Sequence, residues 1–124
     1  MKLYMIRHGE TSWNKAKKLQ GRKDIMLDAD GIRLAELTGE GMKDIDFDLA
    51  ISSPLMRARQ TAELVLAGRE IPMITDKRII EMSFGKWEGE SVRHSEIVTE
   101  EFADKFFHDP YHCPKAPGGE SFRD

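Results

Sequence analysis

The sequence has little of several features that would point to particular classes of protein. It contains one cysteine, Cys113, so an internal disulfide is excluded. Its apolar runs are far shorter than a signal peptide or a membrane helix needs, so we expect no membrane association and a cytoplasmic location. The net charge of −3 gives no indication of a nucleic-acid partner.

The composition that is present suits one globular domain spanning residues 1–124. Hydrophobic residues make up 40% and charged residues 33% of the sequence, which is typical of a soluble chain with a buried core. Short apolar runs alternate with helical patterns. Strands are predicted at 2–6, 48–52 and 71–74, and helices at 12–18, 29–40, 54–67 and 92–107. The alternation predicts an α/β fold in three layers, with a mostly parallel sheet between helices.

The segment at residues 7–11, Arg-His-Gly-Glu-Thr, directly follows the first predicted strand. Thr11 is placed to cap the next helix. A strand that runs into a helix presents free backbone N–H groups and the positive end of the helix dipole, which favour an anion. An arginine and an imidazole at this point favour phosphoryl chemistry. On this segment alone, a hydrogen-bonded structural role for His8 remains the alternative.

A second strand-to-helix junction occurs at residues 52–62, after the apolar run 49–51. Pro54 is predicted as the first helical residue, where its missing N–H costs nothing. Asp28 is predicted to cap the helix at 29–40, which Gly39 and Gly41 are expected to end.

These segments resemble conserved motifs of the histidine phosphatase superfamily, also called the phosphoglycerate mutase-like family. Residues 7–11 resemble its RHGE[TS] signature and residues 52–62 its SSPxxRAxQTA segment. Residues 81–89 resemble ExxFGxWEG, and residues 117–121 resemble a PGGES turn. The matches run along the whole chain in the family order, and they imply a phosphoglycerate mutase-like fold.

The resemblance implies a role for each matched residue. His8 would be the nucleophile that forms a phosphohistidine, and Glu81 would be the acid/base. The residues implied to hold the phosphate or the substrate are Arg7, Asn14, Gln20, Gly21 and Arg57. The family chemistry uses no metal, and the phosphatase branch needs no cofactor. The spacing of His108, His112 and Cys113 is only a weak indication of a metal site.

The family also has a second catalytic histidine, in an SHG-like segment of its C-terminal part. None of His94, His108 and His112 follows an apolar strand or precedes glycine. We therefore expect the chain to be the N-terminal portion of a family member, incomplete at its C-terminus. Strands missing from the sheet would leave an open edge, through which we expect self-association into a homo-oligomer.

Three functions remain open from the sequence. The segment 81–89 resembles the phosphatase branch, which favours hydrolysis of a small phosphorylated metabolite. A cofactor-dependent phosphoglycerate mutase, which would need a bisphosphorylated primer, typically has an ERHYG-like segment there. The third possibility is a non-catalytic, phosphate-binding fragment, because the second histidine has no counterpart.

Some nearby side chains have ordinary interpretations. Arg59 is expected to face away from the site, and Glu88 to cap the backbone or pair with a local base. A basic cluster is either a solvated surface or a rim that attracts anionic substrates. Its members are Lys15, Lys17, Lys18, Arg22 and Lys23.

Overall fold

A computed structural model describes residues 1–124. The α-helices are α1 (Ser12–Lys15), α2 (Ala29–Gly41), α3 (Met56–Leu66) and α4 (Glu100–His108). The strands are β1 (Ala50–Ser52) and β2 (Met73–Thr75), and single 3-10 turns span Lys77–Ile79, Gly85–Trp87 and Pro110–His112. The two strands pair in parallel, with Ile51 opposite Ile74. The prediction of an α/β fold with a parallel sheet is confirmed.

Helix α2 begins where the sequence predicts it. The Oδ1 atom of Asp28 accepts a hydrogen bond from the N–H of Gly31 at 2.8 Å, which is the expected N-cap interaction. Gly39 does not end this helix, contrary to the prediction, but lies buried inside it. A Cβ atom at Gly39 would lie 2.7 Å from the carbonyl oxygen of Val65 in α3, so this glycine allows the two helices to approach closely.

Helix α3 begins two residues later than predicted. Pro54 is not its first residue, because Leu55 is the N-cap and has an extended conformation (φ −65°, ψ 138°). Ala67 ends the helix in the left-handed region at φ 47°, and Gly68 follows at φ +73°. A glycine just beyond a helix end is the expected pattern, since it adopts positive φ without steric cost.

The predicted strand at residues 2–6 is wrong, because these residues form no strand. Leu3 is 78% exposed and Met5 is 89% exposed, whereas Tyr4 packs edge-on against Phe47 with ring centroids 5.4 Å apart. A strand requires a neighbouring segment to pair with its N–H and C=O groups. Apolar composition alone does not supply that neighbour.

Two predicted helices are too long. The helix predicted at 12–18 ends at Lys15, and Lys18 instead forms an isolated antiparallel bridge with Ser91. The helix predicted at 92–107 begins only at Glu100. The Oγ1 atom of Thr99 accepts the N–H of Phe102 at 3.2 Å, so a local cap starts the helix there.

The contacts divide the chain into two compact units. The first comprises residues 1–11 and 25–80, and the second comprises residues 12–24 and 81–124. The first unit contains the sheet, with α2 packed on α3. The second contains an apolar core of Leu19, Phe84, Trp87, Val98, Phe102, Cys113 and Ala116. The rings of Trp87 and Phe102 pack edge-to-face there, with centroids 4.9 Å apart. The prediction of a single domain at 1–124 remains a prediction.

None of the helices combines the length and the apolar composition that crossing a bilayer requires.

Candidate active site

His8 lies half-buried in the loop after the N-terminal segment of the first unit. Its Nδ1 atom is 2.7 Å from the carbonyl oxygen of Gly9. A carbonyl oxygen only accepts hydrogen bonds, so this contact requires the proton on Nδ1. In the neutral ring, Nε2 then carries the lone pair, and it is the nitrogen able to attack an electrophile.

A short chain of hydrogen bonds joins the His8 loop to helix α3. The N–H of Gly9 donates to the Oγ1 atom of Thr61 at 2.9 Å. The hydroxyl of Thr61 donates in turn to the carbonyl oxygen of Arg57 at 2.7 Å. Residues four apart lie on the same helix face, so the His8 loop contacts the turn of α3 that begins at Arg57.

The Arg57 side chain is almost completely buried, with 2% exposure. Arg59, two residues further along the helix, is exposed, and its Nη2 atom lies 3.7 Å from Oε1 of Glu63. Buried guanidinium groups are costly to desolvate and are suited to bidentate binding of oxyanions.

The backbone after His8 lies directly against the start of helix α2. A Cβ atom on Gly9 would be 2.8 Å from the carbonyl oxygen of Gly31. A Cβ atom on Gly31 would be 2.7 Å from the backbone nitrogen of Glu10, and closer still to its carbonyl oxygen. The two backbone segments can approach this closely only because residues 9 and 31 are both glycines, which have no Cβ atom. The sequence interpretation assigned no role to Gly31 or to Thr61, although Thr61 lies within the matched segment 52–62.

We expect Gly31→Ala to destabilise the protein by about 1–3 kcal/mol, the usual cost of overpacking, because the new methyl group meets backbone that cannot give way. Gly41→Ala is the matched control in the same helix, since a Cβ atom there has nothing within 4 Å. It should be neutral or stabilise by up to about 1 kcal/mol. Urea unfolding measures both variants, and equal effects would contradict the role given to Gly31.

Arg7, the residue before His8, has an exposed side chain. Its role in binding phosphate stays a prediction, as does that of the other matched residues.

The remaining predicted site residues belong to the second unit. Asn14 is half-buried in α1, and Gln20 and Gly21 are buried in the loop that follows. Gly21 has φ +52°, a backbone conformation that favours glycine. Glu81 is exposed, and its Oε1 atom accepts the N–H of Met82 at 2.9 Å.

The carboxylates of Glu10, Asp28 and Asp30 lie together in the first unit, with ligand oxygens within 4.8 Å of one another. Carboxylate oxygens suit hard divalent cations, but Oδ1 of Asp28 already caps α2. His108 and His112 each contact a carboxylate through Nδ1, His108 with Asp104 at 3.0 Å and His112 with Asp109 at 2.9 Å.

The chain is similar to phosphatases and to a mutase. It is 42% identical over 85 residues to the uncharacterized phosphatase PhoE of Bacillus subtilis, a match that covers 68% of this chain and 44% of that protein. It is 40% identical over 85 residues to the probable phosphoglycerate mutase GpmB of Proteus mirabilis, which covers 68% of this chain and 40% of the relative. The chain thus spans less than half the length of these curated relatives.

The fold is also similar to a solved structure, the alpha-ribazole phosphatase from Shigella flexneri. The two superpose with a TM-score of 0.82 at 35% identity, over 95% of this chain and 58% of the other. The family model of the histidine phosphatase superfamily (branch 1) matches residues 3–124. This match spans nearly the whole sequence. It includes the His8 loop, the strand-to-helix junction at residues 52–62 and the segment 81–89. The chain therefore belongs to branch 1 of the histidine phosphatase superfamily.

Proposed function

We propose that the chain serves the hydrolysis of phosphomonoesters through a phosphohistidine on His8. The observation that carries the proposal is the hydrogen-bond chain from Gly9 through Thr61 to Arg57, with distances of 2.9 Å and 2.7 Å. It fixes the backbone beside the imidazole to the helix turn that holds a buried guanidinium. An imidazole nucleophile and an arginine fork are the two groups that phosphoryl transfer most needs from a protein.

The proposed reaction has two displacements. In the first, Nε2 of His8 attacks phosphorus, the P–O bond to the substrate alcohol breaks, and the departing oxygen takes a proton from Glu81. In the second, water attacks the phosphohistidine, the P–N bond breaks, and Glu81 takes the proton from water. Inorganic phosphate leaves, and both side chains return to their starting states. A covalent intermediate divides one difficult displacement into two easier ones.

The other matched residues are proposed to bind the ester. Arg7 and Arg57 would neutralise the phosphoryl oxygens, whose charge is spread over three atoms in the transition state. Asn14 would donate to the same phosphate, and Gln20 and Gly21 would contact the substrate. Removing one such donor typically costs about a hundredfold in rate.

The substrate class is a small phosphorylated metabolite. Because the chain is similar to an alpha-ribazole phosphatase, the phosphate ester of alpha-ribazole is a suitable first candidate. We keep the cytoplasmic location and the absence of nucleic-acid and membrane partners as predictions. Self-association through an exposed sheet edge also stays a proposal. The exposed apolar side chains of Ile51 and Ile74 support it, and sedimentation equilibrium over a range of concentrations tests it.

A phosphoglycerate mutase is the second candidate, because a relative with that name is 40% identical over 85 residues. The segment from Glu81 to Gly85 lacks the His-Tyr pair of the ERHYG-like mutase motif. We therefore expect the chain to release inorganic phosphate from 3-phosphoglycerate without forming 2-phosphoglycerate, as phosphorus NMR can resolve. Formation of 2-phosphoglycerate that depends on a bisphosphorylated primer would favour the mutase instead.

Binding without turnover is the remaining alternative. If the chain binds an aryl phosphate but releases no phosphate, and Glu81→Ala leaves that affinity unchanged, the chain is a binding module. Hydrolysis that Glu81→Ala reduces supports the enzyme.

A further inference from the structure

We infer that Arg22 and Glu120 are positioning residues for Glu81 and act by fixing the backbone of residues 81–84. The inference rests on the proposed function, because it concerns the residue proposed as the acid/base. All of these residues lie in the second unit of the chain.

The segment 81–84 forms neither helix nor strand, so side chains bind its backbone polar groups. The Nε atom of Arg22 donates to the carbonyl oxygen of Glu81 at 3.2 Å. At the other end of the same guanidinium, Nη2 lies 2.7 Å and 3.0 Å from the two carboxylate oxygens of Glu120. Arg22 thus links the main chain of the proposed acid to Glu120.

Glu120 also holds the segment directly. Its Oε2 atom accepts the N–H of Ser83 at 2.9 Å, and its own N–H donates to the carbonyl oxygen of Ser83 at 2.8 Å. Gly119 allows this approach, since a Cβ atom there would lie 2.7 Å from that carbonyl oxygen. The PGGES-like turn therefore lies against the segment that follows Glu81, and Arg22 and Glu120 hold residues on both sides of Met82.

Glu88 ties the same segment to the loop that contains Gly21. Its Oε1 atom accepts the N–H of Arg22 at 3.0 Å and the N–H of Phe84 at 3.1 Å. This matches the expectation that Glu88 caps the backbone. The Glu88 carboxylate thus fixes the backbone of Arg22 and also the backbone at the end of the segment 81–84.

The exposure of Arg22 and Glu120 indicates that the two residues position Glu81 more than they stabilise the fold. The side chains of Arg22 and Glu120 are 42% and 34% exposed, and exposed ion pairs contribute little to stability. Proton transfer, in contrast, requires the acid within hydrogen-bond distance of the reacting oxygen, and small displacements of a catalytic group are costly. Loss of the pair should therefore affect the rate of protonation more than the melting temperature.

The test compares two substrates that differ in their need for an acid. The alcohol of glycerol 2-phosphate departs only if it is protonated, whereas the nitrophenolate of p-nitrophenyl phosphate departs without a proton. The quantity compared is kcat/KM, which reports the first displacement, because the second displacement is common to both substrates and also uses Glu81. For Glu120→Ala and Arg22→Lys, we expect kcat/KM on glycerol 2-phosphate to fall about tenfold, and on p-nitrophenyl phosphate by less than about twofold. Glu81→Ala should show the same selectivity with a larger loss, since a positioned acid typically contributes about a hundredfold or more.

Glu101→Ala is the matched control. It removes another exposed carboxylate of the second unit, paired with Lys105 at 2.8 Å, and should change neither rate. Equal losses on the two substrates, or a large fall in melting temperature, would assign Arg22 and Glu120 a structural role and overturn the inference. Unchanged rates on both would overturn it too. A wild-type chain that hydrolyses neither substrate would overturn the proposed function, and the inference with it.

Discussion

Replacing His8 by alanine is expected to abolish acid-labile phosphate on the protein and to lower phosphate release by about a thousandfold or more, because the covalent route needs a nucleophile that alanine lacks. The Nδ1 contact with Gly9 at 2.7 Å leaves Nε2 as the attacking nitrogen. The labelled species should accordingly be the Nε2-phosphorylated histidine, which is lost in acid and stable in base. Rapid quenching in base after mixing with a labelled aryl phosphate measures it.

His94→Ala is the control for this experiment. His94 is exposed and lies in the second unit, and it should label like the wild-type protein. Label that persists in His8→Ala, or that disappears equally in both variants, would contradict the role given to His8. Label on a serine or an aspartate would point to a different covalent mechanism.

The second large effect is expected at Arg57. Arg57→Lys keeps a positive charge but replaces the planar fork with a point charge, so at least one charge-assisted hydrogen bond to the phosphoryl group is lost. Such a bond is worth about 1.5–3 kcal/mol, which corresponds to a loss of phosphate affinity of about ten- to a hundredfold. Calorimetry with orthovanadate or inorganic phosphate measures this affinity.

The matched control lies two residues along the same helix. Arg59→Lys alters an exposed side chain that is paired with Glu63 at 3.7 Å, and the affinity should stay within about twofold of the wild type, as exposed ion pairs contribute little. Circular dichroism of Arg57→Lys establishes that α3 is retained. If a folded Arg57→Lys binds phosphate as tightly as the wild type, the buried guanidinium does not serve the site.

Local signals in the sequence predicted some elements well. Asp28 placed the start of α2 because an N-cap is an interaction between residues three apart, Asp28 and Gly31 at 2.8 Å. Both strands of the parallel pair were predicted from short apolar runs bounded by turn residues, and in the folded chain each of the two runs is the other's ladder partner. The predictions at residues 2–6 and 92–107 were wrong for the opposite reason. Residues 2–6 form no strand because no neighbouring segment pairs with them. Helix α4 starts late because Thr99, and no earlier residue, caps it.

The same division applies to the candidate site. The sequence alone determined the family, because its motifs are contiguous segments whose order and spacing are visible without coordinates. It also named His8, Arg57 and Glu81 by resemblance. Only the tertiary structure showed that Arg57 is buried and that Nδ1 of His8 lies 2.7 Å from the carbonyl oxygen of Gly9, the contact from which the tautomer is inferred. Burial and tautomer depend on which atoms come into contact after folding.

Roles that the sequence interpretation missed depend on pairs that are distant along the chain. Thr61 contacts Gly9 across 52 residues, and Arg22 contacts Glu120 across 98 residues. The sequence places Arg22 only in a basic cluster, since nothing in its local sequence reveals a carboxylate so far away. The sequence by itself determined which chemical groups the chain carries. The tertiary structure decided which of them meet, because hydrogen bonds and ion pairs depend on distances of about 3 Å in space and not on separation along the chain.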